Sequence, residues 1–237
     1  MRSLWVTAVF GLMGLLAASP PRQTAAQQQA ALAAIHSIAV IPPFFGVPAS
    51  ALPRGKSPAQ TTALQAAYLH TLKKLQEVAV VRLSQRIASR LSLKIAPGKT
   101  VNQILQSEHL TARELFDQHG AITGGRYPKL NLKACGHLCE RLHVDAVLVT
   151  DLDGPQRIGG HYVFVPLQGS GYEPSHVVSS GEFNVVNQNG ELVLTSSETV
   201  QHPATRIGAQ QFILADWLEA QNLLIENFMD YWNLKLN

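Results

Sequence analysis

The apolar positions of this chain follow two periods. Short unbroken runs alternate with longer stretches in which apolar residues recur every three or four positions, the pattern of buried strands alternating with amphipathic helices. Ile38, Ala39, Val40 and Ile41 open the first run, SIAVIPPFF at 37–45, which reads as a central strand covered on both faces. Pro42 and Pro43 end its ladder, because neither donates a backbone hydrogen bond. After a loop rich in Pro and Gly at 46–57, Ser57 and Pro58 predict a helix start, a hydroxyl cap followed by proline at the first helical position. Leu64, Tyr68, Leu72 and Leu75 then form one helical stripe to about Gln76. VAVVRL at 78–83 predicts a second strand, Ser84 the cap of a short helix through Ile87 and Leu91, and 101–106 a further short helix. Thr111 to Glu114 match a capping box, in which the hydroxyl accepts from the third helical amide while the carboxylate reaches back. A helix is predicted over 129–142 with Cys135, Leu138, Cys139 and Leu142 on one face, and VDAVLVT at 144–150 is another buried type of strand.

Beyond residue 160 the rhythm changes. Residues 161–168, 176–187 and 191–200 have strand character with no helix between them. Asn187 to Gly190 join the last two as a β-hairpin, Gly190 supplying the positive φ such a turn needs. Residues 207–234 read as one long closing helix, with Ile213, Trp217, Ala220, Leu224, Phe228 and Tyr231 along its stripe. The order of elements predicts an α/β (α+β) fold: a mixed β-sheet of about five to six strands flanked by helices, with a long C-terminal helix.

The first residues belong to a different pattern. Arg2 precedes an apolar run from Leu4 to Ala18, a polar stretch comes next, and Thr24 and Ala26 are small residues placed for a cleavage before Gln27. This is the plan of a secretory signal. The run falls short of the roughly 20 residues of a spanning helix. An uncleaved anchor is the alternative; a lipid anchor needs a cysteine at the cut, and the only cysteines are Cys135 and Cys139. The expected organisation is a signal at 1–26, a leader segment at 27–36 and a single α/β domain at 37–237, without a membrane span in the mature chain. The 19 Lys and Arg against 16 Asp and Glu give a net charge of +3. Arg2 and Arg22 leave with the signal, so the balance of the mature chain falls to +1. No basic run with interleaved aromatics exists, which speaks against a nucleic-acid partner.

The residues that carry chemistry are scattered. Cys135 and Cys139 lie four apart on one predicted helix face. An oxidising compartment favours a disulfide, but helix geometry rarely allows one at this spacing. The reading of two buried apolar thiols competes with that bond and with a Cys-x-His-x-Cys metal site. In that metal site His137 would point about 100° per residue away from the cysteine stripe. Gly55-Lys56-Ser57 and Gly98-Lys99-Thr100 carry the last letters of a phosphate loop, yet Ser50 and Leu93 stand where its first glycine must be. Asp151 and Asp153 come after a buried strand and read either as a solvated turn or as a cation or acid–base pair. The nine histidines form no His-Glu-x-x-His motif, and Gly169-Ser170-Gly171 is not a nucleophile elbow. No catalytic, cofactor or metal residue is therefore assigned. Phe44, Phe45 and Val47, set among prolines after the first strand, are the candidate interaction loop.

Three segments together carry a resemblance: SIAVIPPFF at 37–45, CERLHVDAVLVTDLDG at 139–154 and GEFNVVNQNGELVLTSS at 181–197. Their order resembles the family of bacterial envelope domains that includes the TolB amino-terminal domain, the curli secretion protein CsgG and the penicillin-binding-protein activator LpoB. The resemblance implies a periplasmic or secreted adaptor without catalytic residues or cofactor, partnered by envelope proteins. Asn187 stands where the family's hairpin has Asp, and the stretches 154–160 and 169–172 have no counterpart there. The other reading that the residues leave open is an exported hydrolase with a dispersed active site.

Overall fold

The computed structural model describes residues 24–46, 58–117, 129–153, 156–158, 161–165, 169–173, 176–204 and 214–237. The signal expected at 1–26 lies outside them except for Thr24 to Ala26. These residues cap and open helix α1 (Ala25–Ala33), so the leader expected at 27–36 is largely a formed helix.

Strand β1 (Ser37–Val40) is followed by β2 (Phe44–Gly46), the long helix α2 (Pro58–Leu91), β3 (Lys94–Ile95) and α3 (Gly98–Ser107). A 3₁₀ turn (Ala112–Leu115) leads into β4 (Phe116–Asp117), which pairs with β5 (Lys129–Leu130). Helix α4 (Leu132–Leu142) precedes β6 (Ala146–Asp153) and β7 (Gln156–Ile158). Then come β8 (His161–Val165), β9 (Gly169–Glu173), β10 (His176–Asn187), β11 (Leu192–Pro203) and helix α5 (Leu214–Leu236). The main sheet is mixed, in the order β11-β10-β6-β1-β3, with β2 also paired to β6 and β7 to β10. Its β1, β2 and β3 pairings are parallel, and those of β10 are antiparallel. The α/β class with a mixed sheet and a closing helix is as the sequence predicts.

The sheet is the middle of three layers. Ile38 and Val40 of β1, Leu148 of β6 and Phe183 and Val185 of β10 join one core with residues of α1, α2 and α5. Their neighbours Ala39, Ile41, Val147, Val149 and Val186 join a second core with α3, α4 and the 3₁₀ turn. Side chains alternate across a strand, so apolar residues on both sides of it demand cover on both faces. Phe183 stacks on Phe228 of α5, ring centroids 4.3 Å apart.

Four sequence expectations change in the helices. The strand expected at 78–83 is part of α2, which runs unbroken past Ser84. Leu72, Leu75, Ala79, Leu83 and Ile87 are all buried, at spacings of three and four, so one helical stripe runs through the β-branched stretch while Val81 stays exposed. Tertiary burial overrides the local strand preference of Val. The helix expected from 129 starts at Leu132, because Lys129 and Leu130 pair with β4 and the side chain of Asn131 accepts from Ala134 N at 3.1 Å. The capping box at Thr111 is half made: Thr111 N donates to Glu114 Oε2, and the chain continues from it as a single 3₁₀ turn. In α5 the buried stripe includes Trp217, Ala220, Leu224 and Phe228 as expected, with Trp232 rather than Tyr231 as its last fully buried member. Ile213 and the cap expected at Ser57 lie outside the described residues.

Parallel strands β1 and β6 are clamped at their shared beginning by Asp145. Its Oδ2 accepts from His36 N at 2.9 Å, Ser37 N at 2.8 Å and Ser37 Oγ at 2.9 Å. These bonds hold its carboxyl below the usual aspartate value, the His36 amide foremost. The hairpin between β10 and β11 packs against the same end: Gln188 N donates to Asp145 O at 2.9 Å. Within that turn Asn187 Oδ1 accepts from Asn189 N and Glu191 N, and Gly190 has φ +71°. A side-chain oxygen that mimics a backbone turn is the role Asn and Asp share here.

Candidate functional site

The opposite end of the parallel strands is where open α/β sheets usually hold ligands. There β2 continues the line of β1 along β6. Val40 pairs with Leu148 and Phe44 with Asp151, so four steps on one strand match three on the other. The extra residue is absorbed at Ile41-Pro42-Pro43, a bulge where prolines cannot serve the ladder. It places Phe44 on the face of Ile41 and Phe45 on the face of Val40, each packed against a different core.

Between β2 and α2 lies a groove of about 300 Å³, lined by Pro43, Phe44 and Phe45 on one side and Leu69, Leu72, Lys73 and Gln76 on the other, with Thr111 at its end. Gln76 Nε2 donates to Pro43 O at 2.7 Å and ties the two walls. Leu69 is 56% exposed, while Phe44 and Phe45 are half-buried. Phe44 also meets the ring of Phe116 at 6.1 Å. Two of the three residues singled out as an interaction loop thus line the groove and also cover the core. Val47 lies outside the described residues. Leu69 escaped the sequence reading because it sits one position off the buried stripe; an isolated leucine beside that stripe is the only signal it leaves.

Beside the groove, β6 ends in carboxylates. Asp151 pairs across the sheet with Glu182 and along it with Phe44. Burial, then Asp153 and Glu182, push the Asp151 carboxyl up to about 6, because a partly buried acid among like charges resists ionisation. Ser180 Oγ donates to Asp153 Oδ2 at 2.6 Å and Asn184 Nδ2 to Glu182 Oε1 at 3.0 Å. No group of three or more His, Cys, Asp or Glu suited to a metal occurs among the described residues. The groove lining contains neither histidine nor serine nor carboxylate. His176 is six positions along β10 from Glu182, roughly 20 Å at the rise of a strand. Ser180 and Asp153 form a hydroxyl–carboxylate pair, and no histidine lines the groove among the described residues.

Cys135 and Cys139 are free thiols, both fully buried in the second core. Burial pushes each up to about 12. Cys139 Sγ lies 3.7 Å from Val186 O. His137 stands on the other side of α4, half-exposed, 3.6 Å from Glu108 and 3.7 Å from Glu140. Gly98-Lys99-Thr100 forms the first turn of α3 behind Pro97, and Gly55-Lys56-Ser57 lies outside the described residues.

The groove and the sheet define a three-layer α/β domain with a surface recess. No protein-family model matches the chain, and no curated protein does. Among solved structures it is similar to lipoprotein GNA1162 from Neisseria meningitidis, at 15% identity and a TM-score of 0.32, over 81% of this chain and 97% of that one. A second is a neuraminyllactose-binding hemagglutinin homolog from Helicobacter pylori, at 11% identity and a TM-score of 0.38, over 86% of this chain and 87% of that one. Likenesses this loose transfer no function.

Proposed function

We propose that this chain is a non-catalytic interaction module exported to the bacterial cell envelope, periplasmic or secreted, and that it contacts an envelope protein through the groove between β2 and α2. The observation that carries the reading is the groove itself. An exposed leucine and two half-buried phenylalanines share one recess with the cation Lys73. Apolar anchors in a recess with a polar edge suit protein contact. The pattern of the first 26 residues supports export, and the three segments resembling the TolB, CsgG and LpoB group support an adaptor role. No described helix is long and apolar enough to cross a membrane.

The test is cross-linking of the mature protein in envelope extract, wild type against Leu69→Glu. Leu69 is exposed, so the variant keeps its circular dichroism and melting temperature. One protein cross-linked to the wild type and lost with the variant is the expected result. A wild-type protein that captures nothing at any salt concentration removes the reading.

A further inference from the structure

Helix α1 is not a slack tether. Gln28 Nε2 donates to Val193 O of β11 at 3.0 Å, and Gln29 Nε2 to Leu236 O of α5 at 3.0 Å. Leu32 and Ile35 keep only 2% and 4% of their surface exposed. The helix therefore seals the sheet edge where β11 begins, and its residues belong to the first core.

Its start is equally built. Thr24 has extended backbone angles, its hydroxyl accepts from Gln27 N at 3.2 Å, and Thr24 N donates to Gln27 Oε1 at 2.8 Å. This reciprocal pair satisfies donors that the first turn of a helix otherwise leaves open. Both bonds cross the Ala26–Gln27 peptide bond. A cut there, which the small residues Thr24 and Ala26 invite, deletes the whole device. It also puts an α-ammonium group at the positive end of the helix dipole, the wrong sign for that place.

We infer that the mature chain begins upstream of or at Thr24, the cut falling between the end of the apolar run at Ala18 and the capping threonine. The inference rests on the export reading under the proposed function. The small pair Ala17 and Ser19 marks a site of the right type there, despite Pro20 behind it.

The experiment is amino-terminal sequencing and intact mass of the native protein from the exported fraction. A first residue from Ser19 to Thr24 is expected. A chain beginning at Gln27 overturns the inference and leaves export standing. A chain beginning at Met1 and fractionating with cytosol overturns both. As a second measurement, amide exchange at Leu32 to Ile35 is compared between chains starting at Pro20 and at Gln27. The shorter chain exchanges about fivefold faster, the worth of one cap. Equal rates show that the cap does nothing and remove the basis of the inference.

Discussion

Asp145 is a strong single test of how this fold is held. Replacing it with alanine deletes three accepted hydrogen bonds at 2.8–2.9 Å, two from backbone amides and one from the Ser37 hydroxyl. Bonds to a charged acceptor contribute about 1.5–3 kcal/mol each when buried. Here they share one oxygen and are part-exposed, water can reach His36, and the energies do not add. The net loss is about 2–3 kcal/mol for Asp145→Ala, and about 1 kcal/mol for Asp145→Asn, which keeps an acceptor and drops the charge. For a domain of this size the alanine variant melts roughly 4–12 °C lower. Thermal and urea melts monitored by circular dichroism measure it. The pH dependence gives a second handle. The folded carboxyl lies below its ordinary value, so its contribution is complete above the unfolded value of about 3.9 and disappears as pH falls through the lower, folded one. The gap between wild type and Asp145→Asn is flat from pH 7 to pH 5 and closes below pH 4. A loss under about 0.5 kcal/mol for alanine, or a gap unchanged in acid, refutes the clamp.

Gly136→Ala sets two effects against each other. A Cβ there meets Gly190 N at 3.0 Å and Gln188 O and Gly190 Cα at 3.2 Å, all backbone of the hairpin turn. Crowding costs about 1–3 kcal/mol, and the gain in helix propensity returns about 1 kcal/mol, so urea melts show a net loss of roughly 1 kcal/mol; a stabilised variant disproves the close approach. The thiols of Cys135 and Cys139, buried and raised to about 12, do not react with a water-soluble aromatic disulfide in the native protein at pH 8 and react promptly in denaturant. Fast native labelling contradicts their burial.

Much of this fold is legible in the chain because its strands are covered on both sides. Ile38 to Ile41 and Val144 to Thr150 are apolar at every or nearly every step, and Asn187 to Gly190 spell their own turn. Where the reading failed, local preference and tertiary demand disagreed. Val78, Val80 and Val81 favour a strand in isolation, but Leu75, Ala79 and Leu83 share a helical face, and it is the face that finds a partner in α5. Gln221 Nε2, donating to Leu75 O at 3.1 Å, marks that contact. The recess was legible only in half. Phe44 and Phe45 stand out as aromatics among prolines, whereas Leu69, Lys73 and Gln76 become a wall only when α2 lies across β2. The clamp at Asp145 was visible as an acid before a buried run, but its partners stand more than a hundred positions earlier, a separation that no local pattern bridges.

The supernumerary residue at Ile41-Pro42-Pro43 has a consequence for how this sheet could be re-engineered. Because side chains alternate up and down a strand, one insertion inverts the address of everything behind it. Straightening β1 into β2 with both prolines kept would set Phe44 opposite Leu152 and turn its ring towards the layer of α2 and α5, whereas excising one proline keeps Phe44 opposite Asp151 and both rings where they are. The bulge thus lets a chain one residue too long keep each aromatic facing its own half of the molecule.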